Sequence, residues 1–218
     1  VFYLFRIQPL SCWDIGRCWI SQNILYLCKK LSDTEIIILS FELCLNKNVV
    51  QGIAGPRFEK PEEVVEWMGA MQAQDIRAAK WAVGLRIANP SLTAVQEALD
   101  TGRILRLHVM RPTWHYIPGR DIKWMTGVST KGLLSKFRFY AKHFADEEDF
   151  LRSKPQIEEV LSGQHLTSLE VLEQLHSKGI ALDEPIVKMY LSFGEADGTV
   201  CSGIEKNGKH TYALTCER

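Results

Sequence analysis

From about residue 55 onward the apolar positions settle into a helical period, and that period is later interrupted twice by strand-like alternation. Val64, Trp67, Met68 and Met71 recur at i, i+3, i+4 and i+7, which lines one face of a helix. Pro61 can open that helix, because the first turn leaves its missing N–H unneeded, and Glu62 and Glu63 suit the positive end of the helix dipole. After a break at Gln74 and Asp75, the pattern predicts a second helix over Arg77–Ile87 with Trp81 and Leu85 on one face. A third is expected from Thr93 to Asp100, ahead of Gly102. The period then changes: Ile104–His108 and Thr113–Ile117 read as two short strands rich in large and β-branched side chains, with Arg111-Pro112 in the connection.

A helical stretch follows, over Lys131–Lys142 and Asp146–Leu161, with Gly163 as a stop. Beyond it a similar layout returns. Thr167 and Glu170 form a capping box, Leu172 and Leu175 supply an apolar face, and Gly179 ends the helix. Asp183 and Pro185 start another, on which Ile186, Met189, Tyr190 and Phe193 fall at i, i+3, i+4 and i+7. Val200, Ser202 and Ile204 alternate toward Asn207-Gly208, and His210, Tyr212 and Leu214 alternate away from it; Asn-Gly is a strong hairpin signal because both central residues of a type I′ turn need positive φ.

Helices leading into a β-hairpin, twice over, predict an α+β protein that is mainly helical. The expected architecture is two tandem winged-helix units, each a helix-turn-helix plus a β-wing, joined by a helical connector. The boundaries are a leader at 1–48, a first winged helix at 49–128, the connector at 129–163 and a second winged helix at 164–218. The leader differs in texture: it begins at Val1, holds four of the six cysteines and lacks sustained helical periodicity, and no function is assigned to it. Winged helices serve either to bind DNA or to bind protein, and in the second unit Glu184 and Glu195 fall at groove-facing positions where phosphates would repel them.

Charge changes the picture locally only. Twenty-six basic and twenty-six acidic side chains cancel, so net charge provides no general attraction to nucleic acid. Between Thr101 and His143, however, Arg103, Arg106, Arg111, Arg120, Lys123, Lys131, Lys136, Arg138 and Lys142 stand against Asp121 alone. The following acidic run at Asp146–Asp149 fits a helix start. The cysteines show no CxxC pair and no histidine partner at zinc spacing, so neither a metal site nor a disulfide framework is expected, and reduced thiols point to the cytoplasm. The longest apolar run, Ile36–Leu45, is broken by Glu42 and is too short for a bilayer, which needs about 20 apolar residues. The first residues also lack the pattern of a secretory signal.

Three pieces of sequence carry a resemblance: Gly55-Pro56-Arg57, Met71-Gln72-Ala73-Gln74-Asp75, and the run from His108 to His115 with Asp121 downstream. Over Gln51–Leu214 the chain resembles the AlkZ/YcaQ-like winged-helix DNA glycosylases, and Gln72-Ala73-Gln74 is the most specific element of the likeness. The resemblance implies a protein that binds double-stranded DNA and hydrolyses the N-glycosidic bond of alkylated or cross-linked bases; a monomer is expected, with no metal or organic cofactor. It also implies that Gln72 and Gln74 are the catalytic pair. Family members usually continue into a third winged-helix unit, so a truncated member is expected.

The residues themselves leave alternatives open. Glutamine has no useful pKa, but its amide can orient a water and a leaving base where the scissile bond is already weakened by a cationic base. Residues i and i+2 diverge on a helix and share a face in extended chain, so joint action of Gln72 and Gln74 requires the helix to end by about residue 72. The other reading of the pair is a polar helix end with solvated amides. Asp75 is either an N-cap for the next helix or a base that activates water. Arg103, Arg106, Arg111, His115 and Arg120 are the candidates for contact with DNA, Arg111 foremost; His108 and His115 can equally be ordinary strand residues. Trp114 and Trp124 fit the core or the wall of a base pocket. The competing functions are a non-catalytic DNA-binding regulator and an interaction module.

Overall fold

In the computed structural model, which describes residues 47–55, 58–142 and 147–218, the first full helix after Gly55 is α1, Pro61–Met68. The leader up to residue 46, Pro56, Arg57 and Asp146 lie outside the described residues. The chain divides into two units, 1–51 and 52–218. Of the first, residues 47–50 are helical, with the Gln51 N–H donating to the Lys47 carbonyl.

Within residues 52–218, α1 starts as its sequence dictates. Pro61 takes the first position, and the Glu63 carboxylate accepts from the Glu59 and Lys60 N–H groups, which satisfies donors that precede the first turn. The helix stops at Gly69, so Met71 belongs not to the helix but to strand β1, Met71–Gln72. Asp75 caps α2, Ile76–Gly84, accepting from the Arg77 and Ala78 N–H groups at 2.8 and 3.0 Å. Ser91 caps α3, Leu92–Asp100, in the same way through the Ala94 N–H.

Strands β2, Ile104–His108, and β3, Trp114–Pro118, pair antiparallel, with Ile104 opposite Pro118 and His108 opposite Trp114. Strand β1 joins the other side of β3, Met71 opposite Tyr116 and Gln72 opposite His115, which makes a three-stranded sheet ordered β1-β3-β2. Next come α4, Ile122–Ala141, α5, Glu147–Leu161, α6, Ser168–Ser177, and α7, Glu184–Asp197. The chain then forms the hairpin of β4, Val200–Ser202, and β5, Tyr212–Leu214. Asn207 and Gly208 both hold positive φ, 51° and 75°, between the bridged Lys206 and Lys209, as a type I′ connection demands. The protein is mixed α and β and mainly helical.

Packing decides which face of α2 is buried and moves the start of α4. On α2 the buried side is Ala79 and Val83, whereas Trp81 is 60% exposed and Leu85 also faces outward. Small residues let α2 approach α1 and α3 closely; an indole would hold them apart. Helix α4 begins nine residues before the expected Lys131, because Ile122, Met125, Ser129, Leu133 and Phe137 form a buried stripe that overrides the weak helix propensity of its glycines and threonines. Thr126 and Thr130 donate their hydroxyls to the Ile122 and Thr126 carbonyls one turn back, and Thr130 also reaches the Ala196 carbonyl of α7, so both hydroxyls find acceptors within the protein.

The core has three parts. Val64, Val65, Val83, Val95, Ile104 and Tyr116 pack beneath α1–α3, and Leu133, Ile157, Leu175, Leu191 and Phe193 pack among α4–α7. Leu105, Leu107, Ile117, Met125 and Cys201 lie between them. Through Cys201 the second hairpin reaches the first sheet, and Ser202 Oγ accepts the outward N–H of Arg106 on the edge strand β2. Helix α7 is brought close to β4 by Gly194, where a Cβ would meet Val200 Cγ2 at 2.8 Å.

Candidate functional site

The stretch after α1 is extended, and this fixes where the two glutamines point. Met71 and Ala73 are buried while Gln72 and Gln74 are exposed, so the glutamines share one face beside β3. The segment is pinned at several atoms. The Ala73 N–H donates to the Trp114 carbonyl at 2.7 Å, and Arg106 Nε donates to the Ala73 carbonyl at 2.9 Å, with Arg106 Nη2 reaching the Gln74 carbonyl at 3.3 Å. The Gln74 side-chain oxygen accepts the Trp114 N–H at 3.2 Å, and Arg111 Nη2 lies 3.5 Å from the Gln72 side-chain oxygen. Both amide oxygens are thereby oriented toward the hairpin. Among the described residues none takes either side-chain NH2.

The turn between β2 and β3 stands next to this pair. Met110 is 56% exposed and holds φ at 62°, in the left-handed region that a methionine rarely adopts, and its N–H donates to Ser129 Oγ. Arg111 follows it, exposed. Asp75 is engaged as the cap of α2 and faces solvent.

The expected basic residues separate into three groups. Arg111 is beside the glutamines. Arg103 and Arg120 lie at the other end of the hairpin, roughly 15 Å along the strands at about 3.3 Å per residue. There Arg103 pairs with Glu62 and Glu97, each at 3.0 Å, and Arg120 with Glu66 at 3.1 Å. Arg106 and His115 are only 5% and 2% exposed, which corrects their expected place at the surface: the Arg106 guanidinium is spent on backbone carbonyls, and the His115 ring hydrogen-bonds to the Thr113 carbonyl. Burial lowers the His115 pKa, with Arg111 and His108 adding to the effect against the hydrogen bond to Thr113.

Glu195 is also corrected. Rather than facing a groove from α7, its carboxylate is fully buried. Its Oε2 accepts from His108 Nδ1, and its Oε1 accepts from the Trp114 indole N–H at 3.4 Å. His210 Nε2 stands 3.9 Å away, close enough for electrostatic influence though too far for a hydrogen bond. Burial works to raise the Glu195 carboxyl, but the charge and hydrogen bond of His108, helped by His210, outweigh it and hold the group below the usual carboxylate range. For His210 burial lowers the pKa, and the nearby carboxylate opposes it. The His108 ring lies 4.6 Å from that of Trp114, and the Arg106 guanidinium sits 4.3 Å from the same indole.

Sequence reading missed this cluster, though one signal was present. Val187, Leu191 and Glu195 occupy i, i+4 and i+8 on α7, so a lone carboxylate continues a buried apolar stripe. Among the described residues no group of three or more His, Cys, Asp or Glu converges as a metal site, and no helix is long and apolar enough to cross a membrane.

No curated protein matches the chain. Among solved structures it is similar to the Streptomyces sahachiroi DNA glycosylase AlkZ, with a TM-score of 0.59 and 18% identity over 78% of this chain. The match takes in 47% of that protein, so the chain spans about half the length of the relative it resembles. The family described as DNA glycosylase AlkZ-like matches residues 65–218, which hold Gln72, Gln74, Arg111, Trp114 and Glu195. With that match covering most of its length, the chain belongs to the AlkZ-like DNA glycosylase family.

Proposed function

We propose that this protein binds double-stranded DNA and hydrolyses the N-glycosidic bond of alkylated or cross-linked bases, with Gln72 and Gln74 as the catalytic pair. The observation that carries the reading is that the chain has left the helix by Met71–Gln72 and stays bonded to β3 through the Ala73 N–H, which leaves the Gln72 and Gln74 side chains both exposed beside the hairpin that bears Arg111. A helix end with diverging amides would offer no shared volume for a sugar.

Support for the DNA-binding part comes from the order of elements. Helix, short strand, two helices and a hairpin, with β1 paired to β3, is the arrangement of a winged helix, and it favours reading residues 49–128 as one such unit. Helices α6 and α7 followed by β4 and β5 favour residues 164–218 as a second, with 129–163 as the connector. Helix α3 contributes no basic side chain, so the tip of the first hairpin is the better approach to phosphate. Arg111 supplies the charge there, and the exposed Met110 offers an apolar surface to a base stack.

For a cationic base such as an N7-alkylated purine, the C1′–N bond breaks with its electron pair leaving on the base, which becomes neutral and needs no acid. Water adds its oxygen to C1′ and releases a proton to solvent, so no strong base is required of the protein. Glutamine suits this division of labour. The second lone pair on each amide oxygen can orient the water, and the NH2 groups can donate to sugar or phosphate oxygens.

A duplex carrying 7-methylguanine tests the proposal. The protein should release free base, and the Gln72→Ala/Gln74→Ala double variant should lose release by at least about a hundredfold while DNA binding persists. Salt-sensitive binding with every base left attached would make the protein a non-catalytic DNA binder, and no salt-sensitive binding would leave an interaction module.

A further inference from the structure

The glutamine segment is tied to the buried carboxylate of α7 by a connected set of contacts that runs through one residue. Trp114 touches the segment twice with its backbone, its N–H held by the Gln74 side chain and its carbonyl by the Ala73 N–H. Its indole is fixed from elsewhere, by the Glu195 carboxylate on its N–H, by the His108 ring and by the Arg106 guanidinium. Arg106 then closes the circuit onto the Ala73 and Gln74 carbonyls. Glu195 thus anchors both the indole and the His108 ring packed against it.

We propose that Glu195, acting through His108 and Trp114, is a positioning residue that sets the orientation of Gln72 and Gln74, so that α7 governs the geometry of a site built beside the first sheet. This rests on the reading of the two glutamines as the working pair. The placement of the carboxylate supports it. A charge taken out of water on an apolar helix face is destabilising unless its partners repay the loss of hydration, and a carboxamide or an apolar side chain would fill the same space without it. Two of its partners, His108 and the Trp114 indole, stand against each other, and the Trp114 backbone holds the segment that bears the glutamines. The indole N–H is a single donor, and its acceptor in this structure is the Glu195 oxygen.

The arrangement predicts local consequences for substitutions that leave the rest of the unit intact. Trp114→Phe keeps a ring against His108 and Arg106 and keeps both backbone contacts, but removes the donor to Glu195. Glu195→Ala removes the acceptor for both His108 and the indole. Amide hydrogen exchange read residue by residue distinguishes the outcomes, because it does not depend on catalysis. In each variant the exchange rates of Ala73 and Trp114 should rise at least about tenfold, while those of α5 and α6 stay within about twofold. The Trp114→Phe/Glu195→Ala double variant should match Glu195→Ala alone, since both remove the same link.

On the 7-methylguanine duplex, single-turnover release by Trp114→Phe should slow about tenfold with DNA affinity unchanged. A merely structural role for the cluster would raise exchange throughout 52–218 and lower melting temperature in proportion, and that result overturns the proposal, as does unchanged exchange at Ala73 and Trp114. If the unaltered protein releases no base yet the local exchange pattern appears, the positioning network stands and the catalytic reading of the glutamines is what fails.

Discussion

The two ends of the β2–β3 hairpin carry similar charge and use it differently. At the base, Arg103 and Arg120 are met by Glu62, Glu97 and Glu66, side chains of α1 and α3. At the tip, Arg111 lies against an uncharged amide, that of Gln72, and keeps its charge for a partner from outside. Counting basic residues along a sequence treats these ends alike. What distinguishes them is whether the fold supplies a carboxylate, and α1 and α3 reach only the base.

Arg106, in the middle of the same hairpin, gives the largest effect by which to break the comparison. Arg106→Ala should strip the Ala73 and Gln74 carbonyls of their donor and leave a void beside Trp114, destabilising the protein by about 3 kcal/mol and lowering the melting temperature by roughly 6–12 °C. A melting curve within a degree of the unaltered protein would show that the buried guanidinium is not part of the framework. The ends themselves are compared by Arg111→Ala and Arg103→Ala. The first should weaken DNA binding about five- to tenfold and reduce the salt dependence by about one phosphate contact. The second should leave binding within about twofold and shift stability by about 1 kcal/mol, the scale of an exposed ion-pair network. Equal losses of affinity would erase the distinction between tip and base.

The smallest expected change sharpens the assignment at the glutamine end. Asparagine caps a helix as well as aspartate does, so Asp75→Asn should alter stability by no more than about 0.5 kcal/mol and base release by less than about twofold. A collapse of release at unaltered stability would move Asp75 from cap to base.

Much of the fold was legible because its signals are local. Thr167 with Glu170, Asp183 ahead of Pro185, and Asn207-Gly208 each specify a boundary through bonds or dihedrals within a few residues, and the structure realises them there. The extended course of Met71–Gln74 was conditional on the helix ending early, which it does at Met68. The misjudged features depend on distant partners. Trp81 and Leu85 share a face as the period implies, but which face is buried depends on the packing of Ala79 and Val83. Glu195 looked solvent-facing because nothing near it in sequence foretells His108, 87 positions earlier. The same holds for Arg106, whose acceptors and whose neighbour Ser202 come from opposite directions along the chain.

The hydroxyl of Ser202 has a further meaning for how this protein stays in solution. Without β4, the outer rim of β2 is an unpaired sheet edge, of the kind that other extended chains can pair with. A chain ending before residue 200 should therefore sediment more readily than the unaltered protein, because nothing then covers the Arg106 N–H on that rim.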